Sequence, residues 1–193
     1  MNILILGGDG YLGWPTAMHF SSRGHDVTVV DNYLRRKASE SIGVKFLYDN
    51  PDLEERAKIW QKVSGFKINV VIGDLADPTV MRSLFDGSVS YDWPRNDNYS
   101  GIPDTVIHYA EQPSAPYSMI DFDRANETLK NNIIVTNNLM FAVRDFSPET
   151  HIIKLGTMGE YGTPKIDIEE GWIEISHKGK KDTFLFPRQA SSI

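Results

Sequence analysis

The chain has 193 residues, of which 40% are hydrophobic and 24% charged, and its formal net charge is −6. Those proportions argue against collagen, coiled coil and wholesale disorder, and the acidic balance leaves no basic surplus for nucleic acid or an anionic membrane. The absence of cysteine excludes a disulfide scaffold, thiolate zinc, an iron–sulfur cluster and a cysteine nucleophile.

Residues 2–6 form a short apolar run closed by Gly7-Gly8-Asp9-Gly10, which reads as a buried strand entering a tight turn. From Tyr11 to about Ser22 the pattern is helical, with Gly24 suited to its end. Asp26 to Val30 is β-branched and apolar, a second strand that stops at Asp31. Residues 32–67 are polar, with a helix over Leu53 to Val63, and Lys67 to Ile72 is the third strand, ending at Gly73-Asp74. A short helix follows around Pro78–Phe85, then a Gly-, Pro- and Asn-rich loop over 86–103. Thr105 to Tyr109 is the fourth strand, a long helix runs from about Asp121 to Phe146, and His151 to Leu155 is the fifth strand.

After Gly156 the alternation stops. Trp172–Ser176 and Thr183–Phe186 read as a hairpin turning through His177-Lys178-Gly179-Lys180-Lys181. Alternation of strand and helix predicts an α/β fold, a Rossmann-like doubly wound parallel sheet with a β-hairpin insertion near the C-terminal end. One domain over 1–193 is expected. Met1 runs directly into Ile3-Leu4-Ile5-Leu6, so no signal peptide is read, and no apolar run reaches the ~20 residues needed to span a bilayer. The chain is expected to be cytoplasmic.

Gly7, Gly10 and Gly13 make G-x-x-G-x-x-G between a strand and a helix. The first allows the tight turn, the second lets backbone approach a pyrophosphate, and the third lets helix pack on strand. The helix N-terminus offers free N–H groups to the phosphates. Asp31, at the end of the next strand, is placed to take ribose hydroxyls and repel a 2′-phosphate, which favours NAD over NADP. Arg35 and Arg36 could greet a 2′-phosphate, stack on adenine or lie in solvent. Asp74 could bond the adenine amino group or cap the next turn. His108 is expected in the core, and no histidines pair at metal-ligand spacing, so no metal is expected.

Gly7 to Gly13, with Asp31 and Gly73-Asp74-Leu75, resembles the extended short-chain dehydrogenase/reductase family. Residues 111–121 (EQPSAPYSMID) and 154–164 (KLGTMGEYGTP), with 167–171 and 189–192, narrow the resemblance to the UDP-sulfoquinovose synthase family, over residues 2 to 193. The resemblance implies NAD as cofactor and UDP-glucose and sulfite as substrates. The sugar would be oxidised at C4, lose water to a C5–C6 alkene, add sulfite at C6 and be reduced again at C4. A hydrolase class and a homodimer go with it as expectations.

By the same resemblance Tyr11, Leu12, Asn32, Leu75, Tyr109, Ala110, Glu111, Asn132 and Leu155 join Asp9, the glycines and the acids at the cofactor. Gln112, Ser114, Tyr117, Met119, Thr157, Met158, Gly159 and Gln189 would meet the sugar nucleotide. Thr157 would bond the C4 oxygen, and Glu160 is the candidate acid–base, because Met158 and Gly159 stand where related 4,6-dehydratases carry an Asp–Glu pair. Pro113 stands where Arg is expected in plant and cyanobacterial members. The family's Tyr-x-x-x-Lys and its C-terminal substrate domain are expected beyond residue 193. Another UDP-sugar epimerase or dehydratase, or a non-catalytic NAD-binding module, are the alternative readings.

Overall fold

The computed structural model describes residues 1–86, 101–157, 165 and 171–186. It divides into two compact units, Met1–Lys154 and Leu155–Ile193.

The first unit is a five-stranded, wholly parallel sheet: β1 (Asn2–Leu6), β2 (Asp26–Asp31), β3 (Asn69–Ile72), β4 (Thr105–His108) and β5 (His151–Lys154), in the order β3-β2-β1-β4-β5. Registers such as Leu6 opposite both Val30 and His108 bring the carboxyl ends of β1, β2 and β4 to one edge. The order reverses at β1: the chain runs outward through β2 to β3 and then returns to place β4 on the other side of β1, and the crevice opens where such a sheet holds its ligands.

The apolar strands explain the layering, since a sheet covered on both faces must be hydrophobic on both. Leu4, Leu6, Val30 and Val106 pack with α4 (Pro78–Asp86) and α6 (Phe122–Phe146) through Met81, Leu84, Phe85, Val135 and Leu139. Ile3, Ile5, Val27, Val29 and Ile107 face the other way, onto Ala17 of α1 (Gly13–Ser21) and Leu53 of α3 (Leu53–Ser64). The alternation of side chains along β1 therefore feeds two cores.

The first helix begins at Gly13 rather than Tyr11, because Leu12 is its N-cap and Tyr11 stays in the turn. Two short helices lie in stretches read as irregular: α2 (Leu34–Ser41) and α5 (Ala115–Ser118), the latter capped by Ser114 Oγ accepting the Tyr117 amide. Neither carries an apolar period long enough to announce a helix. Asp121 caps the long α6 by accepting the Arg124 amide. Of the loop expected over 86–103, residues 87–100 lie outside the described residues.

In the second unit β6 (Gly171–His177) and β7 (Lys180–Phe186) form an antiparallel hairpin. Its turn is shorter than expected. His177 pairs with Lys180, leaving only Lys178 and Gly179, both at positive φ (49° and 75°). Two residues at positive φ match the twist of the flanking strands, which a looser five-residue loop does not require.

Candidate functional site

The glycine turn is where three strands and a helix converge. The amides of Gly7 and Gly8 both donate to Val30 O, at 2.8 and 3.1 Å. Gly7 has φ +89°, and a Cβ there would sit 2.7 Å from the backbone of Tyr109. A Cβ on Gly13 would lie 2.0 Å from Gly7 O. Only glycine permits β1, β4 and α1 to meet so closely.

Asp31 ties the turn to the end of β2. Its Oδ2 accepts the Asp9 amide and its Oδ1 the Tyr33 amide, both at 2.8 Å. Burial raises its pKa, with those backbone hydrogen bonds opposing the rise and the Asp9 charge adding to it. Tyr33 turns the chain through a left-handed φ of 59° and accepts the Leu53 amide on its hydroxyl. Asp74 Oδ1 accepts the Ala76 amide at 3.0 Å and meets Asn32 Nδ2 at 3.3 Å. The acid both caps its turn and faces its neighbour across the strand ends.

These residues border a cleft of about 520 Å³ at the carboxyl edge of the sheet. Of the residues expected at a cofactor, Gly7, Asp9, Gly10, Asp31, Asn32, Arg35, Asp74, Leu75, Tyr109, Ala110 and Glu111 line it. Leu34, Gly73, Asn131 and Val135 line it too and were not among the residues expected at the cofactor. Gly73 and Asn131 each adjoin a residue that was, whereas Val135 reads in sequence as plain helix core. Tyr11 and Leu12 are exposed outside it, and Gly13 is buried beneath. Arg36 turns away, onto Asp9.

Behind the cleft, the chain leaving β4 is pinned by side chains. His108 is fully buried; its Nδ1 accepts the Ala110 amide at 3.2 Å and its Nε2 meets Thr136 Oγ1 at 3.2 Å. Thr136 spends its one proton on Asn132 O, so Nε2 must carry the imidazole hydrogen. Burial, with the Lys154 charge adding, pushes the His108 pKa from 6.5 to about 4. The core position expected for His108 is the one it occupies. Lys154 Nζ donates to Glu111 at 2.6 Å. Asn132 holds the Gln112 peptide from both sides, accepting its N–H at 2.8 Å and donating to its C=O at 3.2 Å.

Gln112, Ser114 and Tyr117 border a second cavity of about 670 Å³, shared with Arg35, Ala38, Ser39, Ile42, Val44 and Pro113. Their polar atoms are engaged: Gln112 Oε1 accepts the Ser114 amide, and Tyr117 donates to Glu127 at 2.7 Å. Met119 is exposed. Leu155 and Thr157 follow β5, belong to the second unit and are exposed. Met158, Gly159, Glu160 and Gln189 lie outside the described residues. Among the described residues no cluster could hold a metal, and no helix is long and apolar enough to cross a membrane.

Residues 3–177 match the NAD dependent epimerase/dehydratase family. The chloroplastic UDP-sulfoquinovose synthase of Spinacia oleracea is 46% identical over 190 residues, covering 98% of this chain and 37% of that protein. The UDP-sulfoquinovose synthase of Sulfolobus acidocaldarius is 40% identical over 194 residues, covering 100% of this chain and 46% of that protein. The chain thus spans less than half the length of these curated relatives. Among solved structures, the UDP-glucose 4-epimerase of Bifidobacterium longum, in complex with NAD+ and UDP, has a TM-score of 0.61 at 22% identity, covering 88% of this chain and 41% of that one, and shares the fold. Epimerisation and dehydration with NAD are redox and elimination chemistry, so the expected hydrolase class is corrected by the family match.

Proposed function

The chain belongs to the NAD dependent epimerase/dehydratase family, and from that premise we propose that it is the cofactor-binding portion of a UDP-sulfoquinovose synthase, which forms UDP-sulfoquinovose from UDP-glucose and sulfite. The observation that carries this reading is the similarity to two synthases of that name, sustained over 98% and 100% of the chain.

The cleft suits NAD. Among the described residues a Cβ on Gly10 would meet only Gly7 O, at 3.2 Å, so that glycine leaves its face open for a diphosphate to approach the backbone. Each Asp31 oxygen has accepted one backbone N–H and keeps lone-pair capacity for a ribose hydroxyl. Asp74, Asn32 and Leu75 would border the adenine, and Tyr109, Ala110 and Glu111 the opposite wall. Bound there, NAD supplies an acceptor and donor of hydride for the sugar C4. This chain's residues orient and exclude water. Asn132 and His108 hold the strand exit from which Gln112, Ser114 and Tyr117 would border the sugar nucleotide. Thr157 would hydrogen-bond the C4 oxygen and Glu160 would move the proton of elimination. A homodimer in the cytoplasm completes the proposal.

The test is product analysis by mass spectrometry after protein from the complete reading frame meets UDP-glucose with and without sulfite. A sulfite-dependent sulfonated UDP-hexose is expected. An unsulfonated epimer or 4-keto-6-deoxy sugar would refute the synthase reading while leaving the family intact.

A further inference from the structure

Asp9 is an odd residue for a turn that receives a diphosphate, since a carboxylate there opposes the ligand's charge. Its carboxylate is 8% exposed and is gripped by two arginines from separate helices. Arg36 of α2 meets it with both Nε (2.7 Å to Oδ2) and Nη2 (2.6 Å to Oδ1). Arg56 of α3 donates to the same Oδ1. Arg36 also donates to the carbonyls of Asn50 and Pro51, each at 2.8 Å, which fixes it to the segment entering α3.

Two guanidinium charges on one carboxylate leave one positive charge in excess under the glycine turn. Arg56 is poorly settled there. Its side chain is 11% exposed, it lies 4.9 Å over the Trp14 ring, and its buried Nε has no hydrogen-bond partner among the described residues. Asp31, which accepts the Asp9 amide, interacts electrostatically with both arginines and offsets part of that excess. Neither Arg36 nor Arg56 lines the cleft, whereas Gly7, Asp9 and Gly10 do. Buried charge is weakly screened and acts over several ångströms.

We propose that Arg36 and Arg56, gathered by Asp9 beneath the glycine turn, determine the affinity of the cleft for the diphosphate of a nucleotide without touching it. Asp9 is the positioning residue. It draws both cations to the turn and cancels one of them, so the turn presents a fixed surplus charge to the incoming anion. The inference rests on the dinucleotide reading of the cleft.

The experiment measures binding of ADP, adenosine and NAD to the purified chain by titration calorimetry at fixed ionic strength, with thermal unfolding alongside. Met in place of either arginine keeps an apolar stem and removes the charge. Arg36→Met and Arg56→Met are each expected to weaken ADP about fivefold while adenosine changes less than about twofold. Asp9→Asn is expected to shift the ratio the other way, favouring ADP over adenosine, although it lowers the melting temperature by leaving two buried cations unpaired. All three variants moving the ratio in one direction, or none moving it, overturns the inference. Should Asp9→Asn not fold, Arg36→Lys decides: a ratio within about twofold of the parent supports a through-space charge, and a loss as large as that of Arg36→Met overturns it. A parent chain that binds neither ADP nor NAD overturns the dinucleotide reading itself. One that binds both with unmoved ratios overturns this inference alone.

Discussion

Acid should unfold this protein through His108, and the size of the effect follows from its surroundings. The ring is fully buried, and both nitrogens are committed, Nδ1 as acceptor from Ala110 and Nε2 toward Thr136. A second proton would have to go on Nδ1, which already faces an N–H. The unfolded chain protonates this histidine below about pH 6.5, whereas the folded chain resists until about pH 4. Between those values the unfolded state binds more protons, so stability falls as pH falls. Integrating the linkage gives a loss of about 2 kcal/mol by pH 5 and about 3 kcal/mol by pH 4, relative to a chain lacking the group. Urea unfolding of the parent and of His108→Gln, at half-unit steps from pH 7.5 to 4, isolates the term, because the other four histidines cancel in the difference. The two stability curves should converge by that amount as pH drops. Parallel curves would refute the burial argument.

Three substitutions probe the site itself. Gly13→Ala puts a Cβ 2.0 Å from the Gly7 carbonyl, where only backbone could yield; a loss of about 3 kcal/mol in denaturant unfolding and of NAD binding is expected, and an unchanged midpoint would sink the close-approach argument. Asn132→Ala strips both partners from the nearly buried Gln112 peptide; it should cost about 2–4 kcal/mol by the same assay, and a loss under 1 kcal/mol would show that water replaces the amide. Asp31→Asn removes the charge that opposes a 2′-phosphate while leaving one backbone acceptor; calorimetry should show the NAD-to-NADP preference falling about tenfold, and an unaltered preference would place selectivity elsewhere.

The order of strands and helices was legible because it depends on short-range properties. Apolar runs such as Ile3 to Leu6 and Val27 to Val30 can be satisfied only by burial on both faces, and glycine at 7, 10 and 13 answers a steric demand made within a few residues. The acid at the end of β2 could be placed beside the glycine turn for the same reason, since strand length and turn length carry it there. Asp31 lines the cleft. Helices α2 and α5 escaped because they are short and polar, held by contacts rather than by an apolar period.

What the tertiary structure alone decided is the partnership of the polar groups. Arg35 and Arg36 are indistinguishable neighbours in sequence, yet one borders the cleft and the other is locked onto a carboxylate 27 residues earlier in the chain. Arg56, 47 residues from Asp9, joins it only because α3 packs beneath the turn. The protonated nitrogen of His108 is likewise set by Thr136, which α6 brings across from 28 residues away. Backbone periodicity is a local property, written into each few residues. A charge or a hydrogen takes its state from whatever the finished packing places within about 3 Å of it, and that neighbour has no fixed distance along the chain.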